Sequence, residues 1–195
     1  MNPTQTNEPT PGNGRRQLVL MALLFLGPVV AALGLYYMKP ELAPTGSTAH
    51  GELINPVVQI PAIDAPANEG ATFYGAWTLA VVAPGCDEAC AESLLKVRQI
   101  RLALGRDMGR IARVLMLTAG GRAEDDLVAA HPDLRVVDDR EPELLAQAER
   151  FPGNPGDSIY LVDPLGNLMM RFERGTESKA IKADLKRLLK LSSIG

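Results

Sequence analysis

The sequence predicts a mixed α/β domain whose mainly parallel sheet ends in an antiparallel hairpin, preceded by one membrane-spanning helix. Three observations predict it. Leu18–Met38 (LVLMALLFLGPVVAALGLYYM) contains no charged residue. Beyond it, short apolar strand signals alternate with helical periodicity, which implies parallel strands covered on both faces. Near the end, two strand signals flank Pro164-Leu165-Gly166-Asn167 and an amphipathic helix follows, so the last strands run antiparallel to the earlier ones.

The apolar run comes first. At ~1.5 Å per residue, about 20 apolar residues cross a ~30 Å hydrocarbon core. Arg15 and Arg16 precede it and Lys39 follows. That positive bias predicts residues 1–17 as a cytoplasmic, disordered tail and sends the rest across the membrane, into the periplasm of a bacterial cell. Tyr36 and Tyr37 suit an interfacial aromatic belt, and Pro28 is tolerable inside a membrane helix. A cleaved signal peptide normally has an apolar region of ~7–15 residues and a small-x-small cleavage site. This run is longer and ends in bulky residues, so an uncleaved single-pass anchor over 18–38 is expected. The pair Arg15-Arg16 as a twin-arginine signal has weak flanking support. Residues 39–56 read as a linker, with 40–52 (PELAPTGSTAHGE) a flexible stalk, and 57–195 as the folded domain.

Within that domain Val57–Ile60 is a short edge strand. Ala76–Ala83 (AWTLAVVA) is continuously apolar, as a strand buried on both faces should be, and Pro84-Gly85 ends it. Asp87–Gly105 has helical spacing through Cys90, Leu94, Val97, Ile100 and Leu104. Asp87 and Glu88 near its start and Arg98, Arg101 and Arg106 near its end suit the helix dipole. Arg113–Thr118 is a second buried strand, Glu124–Ala130 a short helix and Leu134–Val137 a short strand. Glu141–Arg150 is a helix with Pro142 near its start. Ser158–Val162 and Leu168–Phe172 form the hairpin. Ser178–Leu191 closes the chain, with Ile181, Leu185, Leu188 and Leu189 on one face and lysines on the other. This order is that of a thioredoxin-like fold with an inserted strand and helix.

Composition narrows the function. The chain has 195 residues, 46% hydrophobic and 22% charged, which excludes wholesale disorder and collagen-like repeats. Residues 1–40 hold Arg15, Arg16 and Lys39 against Glu8, a net of +2, so the other 155 residues carry −5 of the −3 total. A mildly acidic domain with 5% aromatic residues lacks the basic footprint and the stacking platforms of a nucleic-acid binder.

Cys86 and Cys90 are the chain's two cysteines. Cys86 follows the first buried strand, where chemistry collects in open parallel sheets, and Cys90 lies one helical turn on. Thiols at a helix N-terminus have their thiolates favoured, while Asp87 and Glu88 act against this. Residues four apart on a helix face the same way, so the sulfurs are expected to converge. Three readings stay open: a reversible disulfide, a Cu(I) pair, because soft thiolates select Cu(I), or a structural bridge in an oxidising compartment. The last closes a very short loop and gains little chain entropy.

The run Trp77-Thr78-Leu79-Ala80-Val81-Val82-Ala83-Pro84-Gly85-Cys86-Asp87-Glu88-Ala89-Cys90 resembles the strand and C-x-x-x-C turn of the Sco/SenC copper-chaperone family. Ile159-Tyr160-Leu161-Val162-Asp163-Pro164-Leu165-Gly166 resembles its penultimate strand and turn. With the anchor, the likeness covers about residues 70–191. It implies a membrane-anchored assembly factor of cytochrome c oxidase, with Cys86 and Cys90 as catalytic thiols and metal ligands, Cu(I) as the cofactor and an oxidase subunit as the protein client. One departure matters. The family's third copper ligand is a histidine about five residues before the strand tyrosine, and here that position is Pro155. Its loop is expected beside Cys86 and offers Asn154, Asp157 and Ser158, hard oxygen donors and poor Cu(I) ligands. Topology puts His131 at the opposite pole, as a surface histidine at a helix end, and leaves His50 in a solvated stalk. Of Met169 and Met170 one packs inward; Met108 reads as a loop residue and Met116 as core. Pro155 is also near the place of the thioredoxin cis-proline, without being taken as its equivalent.

Two functions follow as expectations. In the first, Cys86 attacks and Cys90 resolves in thiol–disulfide exchange with a client's copper-site cysteines, or the pair carries Cu(I). In the second, the domain is a non-catalytic interaction scaffold with a structural disulfide. A peroxidase is disfavoured, because an acid pair follows Cys86 where a peroxide-attacking thiolate needs a basic neighbour.

Overall fold

A computed structural model describes residues 14–38, 49–63, 72–120 and 122–194. The chain divides into two compact units, Met1–Ser47 and Thr48–Gly195.

In the first unit, helix α1 spans Gly14–Met38. It begins four residues before the apolar run and so includes Arg15 and Arg16. Its window Gly14–Leu35 has a mean hydropathy of 2.6, which makes it a candidate membrane span. Large apolar side chains such as Leu24 and Phe25 are more than two-thirds exposed, the pattern of a helix whose solvent is lipid.

The second unit is built on six strands: β1 (Glu52–Gln59), β2 (Trp77–Ala83), β3 (Ile111–Leu117), β4 (Leu134–Val137), β5 (Ser158–Val162) and β6 (Asn167–Glu173). Their spatial order is β1-β6-β5-β2-β3-β4. β2, β3 and β4 are parallel; β5 runs antiparallel to β2, β6 to β5 and β1 to β6. All seven residues of β2 are buried. Their alternation divides the core, as a period of two requires. Trp77, Leu79, Val81 and Ala83 join a cluster under α2 (Glu88–Ala103) and α5 (Ser178–Leu191). Ala80 and Val82 face the other side, with Ile60, Phe73, Leu144 and Phe151. The short helices α3 (Asp125–Ala130) and α4 (Pro142–Leu145) make the remaining crossovers.

The mixed α/β reading holds, and β4, β5 and α5 have the expected bounds. Other elements differ for physical reasons. β1 starts at Glu52, inside the expected stalk. It is an edge strand broken by a bulge between Leu53 and Val58. Pro56 sits inside that bulge, where a strand tolerates proline, so its apolar pattern is weak. The helix expected over 141–150 tightens after Leu145 into a 3-10 turn, Ala146–Arg150, as helix ends commonly do. A second 3-10 turn, Gly105–Arg110, follows α2.

His131 departs from expectation, and His50 meets it only in part. His131 is buried, not on the surface: it follows α3 with 6% of its area exposed, and its Nδ1 lies 3.4 Å from the buried Arg113 guanidinium. His50 remains exposed, with half of its side chain open to solvent, and it is also tied to the folded domain. Its Nδ1 lies 3.0 Å from Oδ1 of Asp184 on α5, while its amide and that of Gly51 donate to Asp184 Oδ2 at 2.7 and 3.1 Å. Gly51 is required by this approach, since a Cβ there would stand 2.5 Å from the ring of Phe172.

Two outcomes follow. Asp184→Ala leaves two backbone amides without their acceptor, and an orphaned buried donor costs about 1–3 kcal/mol; urea unfolding of the variant is expected to show that loss. Burial, then Arg113 and Arg98, holds the His131 pKa below its ordinary value. The unfolded chain therefore takes the proton first, and stability falls as pH drops below about 6.5. Urea midpoints at neutral and mildly acid pH are expected to fall further for the wild type than for His131→Gln.

Candidate functional site: a disulfide at a strand-to-helix turn

Pro84 and Gly85 end β2, and the chain turns into α2 through an N-cap. Asp87 has extended backbone angles, φ −78° and ψ −174°, and its carboxylate accepts the Cys90 amide at 2.9 Å. Such a cap satisfies an N–H that the helix cannot. Cys86 lies just outside the helix and Cys90 in its first turn. The sulfurs converge because of this turn, not because both sit on one helix face. Cys86 and Cys90 form a disulfide with a Cα–Cα distance of 5.0 Å, within the usual range. The sulfurs are unequal: Cys90 is 1% exposed beneath α2, whereas Cys86 is partly exposed at its rim.

β5, running antiparallel beside β2, brings its entry loop to the same pole. The amide of Gly156 donates to the Val82 carbonyl, so residues 152–157 lie against the end of β2. The loop is held from below. Tyr160 Oη donates to the Pro152 carbonyl at 2.6 Å, and the Phe151 and Tyr160 rings pack edge-on at 5.0 Å. Gly153 adopts φ +96°, and a Cβ there would meet Arg171 at 2.7 Å. Burial pushes the Tyr160 hydroxyl pKa up, so it stays a donor. The sequence resemblance marked Tyr160 but not this anchoring role; a tyrosine seven residues after Gly153 was the available signal.

The structure places the expected residues as follows. Cys86 and Cys90 come together, while Pro155 lines a cleft with Val82, Thr118 and Leu145, and exposed Asn154 and Asp157 and buried Ser158 line another with Arg171 and Arg174. Asn55–Pro56 is the one cis peptide bond among the described residues, so Pro155 is not a cis-proline. His50 is engaged with Asp184 on α5 and His131 sits among arginines. Met170 and Met116 are in the core, Met169 is half-buried in β6 and Met108 is exposed. Trp77 is 5% exposed, a core residue. Among the described residues, no cluster of three or more His, Cys, Asp or Glu is placed to hold a metal ion. Two sulfurs alone do not make a trigonal Cu(I) site, and the proline at position 155 offers no donor.

What the arrangement can do is exchange electrons. On reduction, a partly exposed cysteine and a buried one stand at a helix N-terminus. The positive end of the helix favours their thiolates, and the Asp87 carboxylate on the Cys90 amide opposes them.

Fold and site define a thioredoxin-like protein with a C-x-x-x-C disulfide and an N-terminal candidate membrane span. The chain belongs to the transmembrane-like, thioredoxin-like, C-terminal domain family, whose model matches residues 77–192. Solved structures share the fold. Apo Sco1 from Thermus thermophilus is 16% identical, with a TM-score of 0.51, over 74% of this chain and 99% of that one. Yeast Sco1 is 16% identical, with a TM-score of 0.51, over 62% and 83%. Copper-bound yeast Sco1 is 16% identical, with a TM-score of 0.50, over 60% and 80%. No curated protein matches the sequence.

Asp87→Asn keeps a capping side chain and removes the charge. Removing that charge relieves its opposition to the thiolates, so the reduction potential of Cys86–Cys90 is expected to rise, by about 20 mV for each 1 kcal/mol of repulsion removed. Equilibration with a glutathione redox buffer reads the shift.

Proposed function

We propose that this protein is a membrane-tethered thiol–disulfide exchanger that keeps the copper-site cysteines of an oxidase subunit reduced. The single observation that carries the reading is the Cys86–Cys90 disulfide, partly exposed at Cys86 and buried at Cys90, at the end of the central strand. The oxidase client is supported by the resemblance of the Trp77–Cys90 and Ile159–Gly166 runs to Sco/SenC proteins. Arg15 and Arg16 ahead of α1 support a cytoplasmic N-terminus and a periplasmic domain.

The chemistry balances as follows. The Cys86 thiolate attacks one sulfur of a client disulfide. A mixed disulfide forms, and the client's other sulfur leaves as a thiolate that takes a proton from water. Cys90 then loses its proton and attacks the Cys86 sulfur. The mixed disulfide breaks, the Cys86–Cys90 bond forms, and the client departs as a dithiol. Two electrons have passed to the client, and an external dithiol reductant resets the pair. Exposure assigns the roles, because a visiting sulfur can approach Cys86 in line and cannot reach Cys90.

Copper enters this reading as cargo. Copper-bound yeast Sco1 shares the fold, and two reduced thiolates here would supply soft ligands for Cu(I). Pro155 supplies none, so copper held by this chain is expected to be weakly bound and readily passed on.

The reduced full chain, mixed with a peptide containing one disulfide, is expected to leave the peptide reduced and Cys86–Cys90 oxidised. Cys90→Ser is expected to stop at a mixed disulfide through Cys86, and Cys86→Ser to form none; mass spectrometry distinguishes the adducts. If both substitutions leave peptide redox state and Cu(I) affinity unchanged, the exchange reading is wrong. The scaffold reading then stands, with a reduction potential below about −300 mV.

A further inference from the structure

Helix α5 carries charge that the disulfide chemistry does not use. Residues 176–195 hold five Lys and Arg against two Asp and Glu, whereas residues 41–175 hold twelve against twenty. Basic charge is therefore concentrated on one helix of an acidic domain. Lys179, Lys182, Lys186 and Lys190 follow one another at intervals of three, four and four. At 3.6 residues per turn they fall within a stripe about 80° wide. Ile181, Leu185 and Leu189 point into the core instead. Lys179, Lys186 and Lys190 are exposed and Lys182 is half-buried. Among the described residues, none of the four has a salt-bridge partner. The one acid inside α5, Asp184, is 3% exposed and engaged by His50 and Gly51. It does not neutralise the stripe.

Those same bonds join the start of the folded domain to α5. His50 and Gly51 are the second and third described residues after α1, and both bind the middle of this helix. The covalent path from Met38 to Ala49 is eleven residues, which at full extension spans no more than about 40 Å.

We propose that the lysine face of α5 is a docking surface for anionic lipid headgroups of the membrane that holds α1. The proposal rests on α1 being a membrane anchor. A row of unneutralised lysines complements a negatively charged bilayer surface, and the attraction acts within a Debye length of it. Because the apolar face of α5 is committed to the core, the contact is electrostatic, without insertion, and it weakens with salt. An acidic protein surface would suit the same charges. The lipid is favoured because the chain enters the domain on this helix.

The test uses the full chain in nanodiscs of phosphatidylcholine alone or containing phosphatidylglycerol. A water-soluble amine reagent labels exposed lysines, read by mass spectrometry. In phosphatidylglycerol discs at low salt, labelling of Lys179, Lys182, Lys186 and Lys190 is expected to fall several-fold. High salt is expected to restore it. Lys96, whose ammonium is held by the Arg174 and Thr176 carbonyls, is expected to label alike in both. A chain that co-elutes with both kinds of disc and labels equally in them overturns the proposal alone and leaves the stripe to an acidic protein. A chain that co-elutes with neither overturns the anchor reading and the proposal with it.

Discussion

β2 is paired on both edges and covered on both faces, and the position of every reactive group depends on that. Its parallel neighbour β3 and antiparallel neighbour β5 leave no free edge, and its seven buried residues divide between two core clusters. A strand held this way can present chemistry only at its ends. Pro84-Gly85 ends it toward α2, so Cys86 emerges at the rim and Cys90 tucks beneath the first turn. The direction of β5 does the rest. Because it runs against β2, its entry loop, and not its exit, meets the disulfide pole, tied there by the Gly156–Val82 hydrogen bond. Position 155 precedes that bond directly, at the end of β2 from which Cys86 departs.

That position holds proline, and the consequence is chemical more than geometric. Imidazole would give two thiolates a third ligand suited to copper; a pyrrolidine ring gives none, and the flanking Asn154 and Asp157 give hard oxygens. Removing a ligand from a thiol pair does not remove its redox chemistry, which needs one accessible sulfur and one protected sulfur. The structure has that asymmetry, with Cys86 at the surface and Cys90 sealed. Asp87 shifts the balance further. Its carboxylate takes the helix N–H of Cys90 that would otherwise help stabilise a thiolate. A less favoured thiolate gives up its electrons more readily in forming a disulfide, which suits the reducing role proposed for the pair.

The sequence made the centre of the fold legible and its margins obscure, for one reason. β2, β5 and α5 bury whole faces, and burial writes a periodic apolar pattern that can be read directly. β1 buries little and is broken at Asn55-Pro56, so only its last residues looked like a strand. Gly105–Arg110 buries nothing and left no pattern. The cysteine turn was legible because its components are consecutive. The Asp184 contacts were not, because His50 lies 134 residues away and nothing local distinguishes Asp184 from a surface acid. His131 was misplaced for a related reason. The β3 pattern reads as apolar, and a single arginine within it does not announce that it is buried and faces a histidine.

Asp184 also links the two halves of the argument. An acid on a lysine-rich helix would ordinarily face outward and moderate the charge of its own surface. Here it faces inward, where two backbone amides and an imidazole nitrogen satisfy it. Two consequences follow from that one orientation. The segment that opens the domain gains a fixed point on α5 through His50 and Gly51. The outer surface of α5 keeps its cations without an internal counter-charge. Reversing the orientation would lose both at once, since the His50 and Gly51 amides would lose their acceptor and the carboxylate would join the lysine face. A carboxylate that contributes nothing to the sulfur pair therefore fixes the start of the domain on α5 and leaves that helix's lysines without an acid of their own.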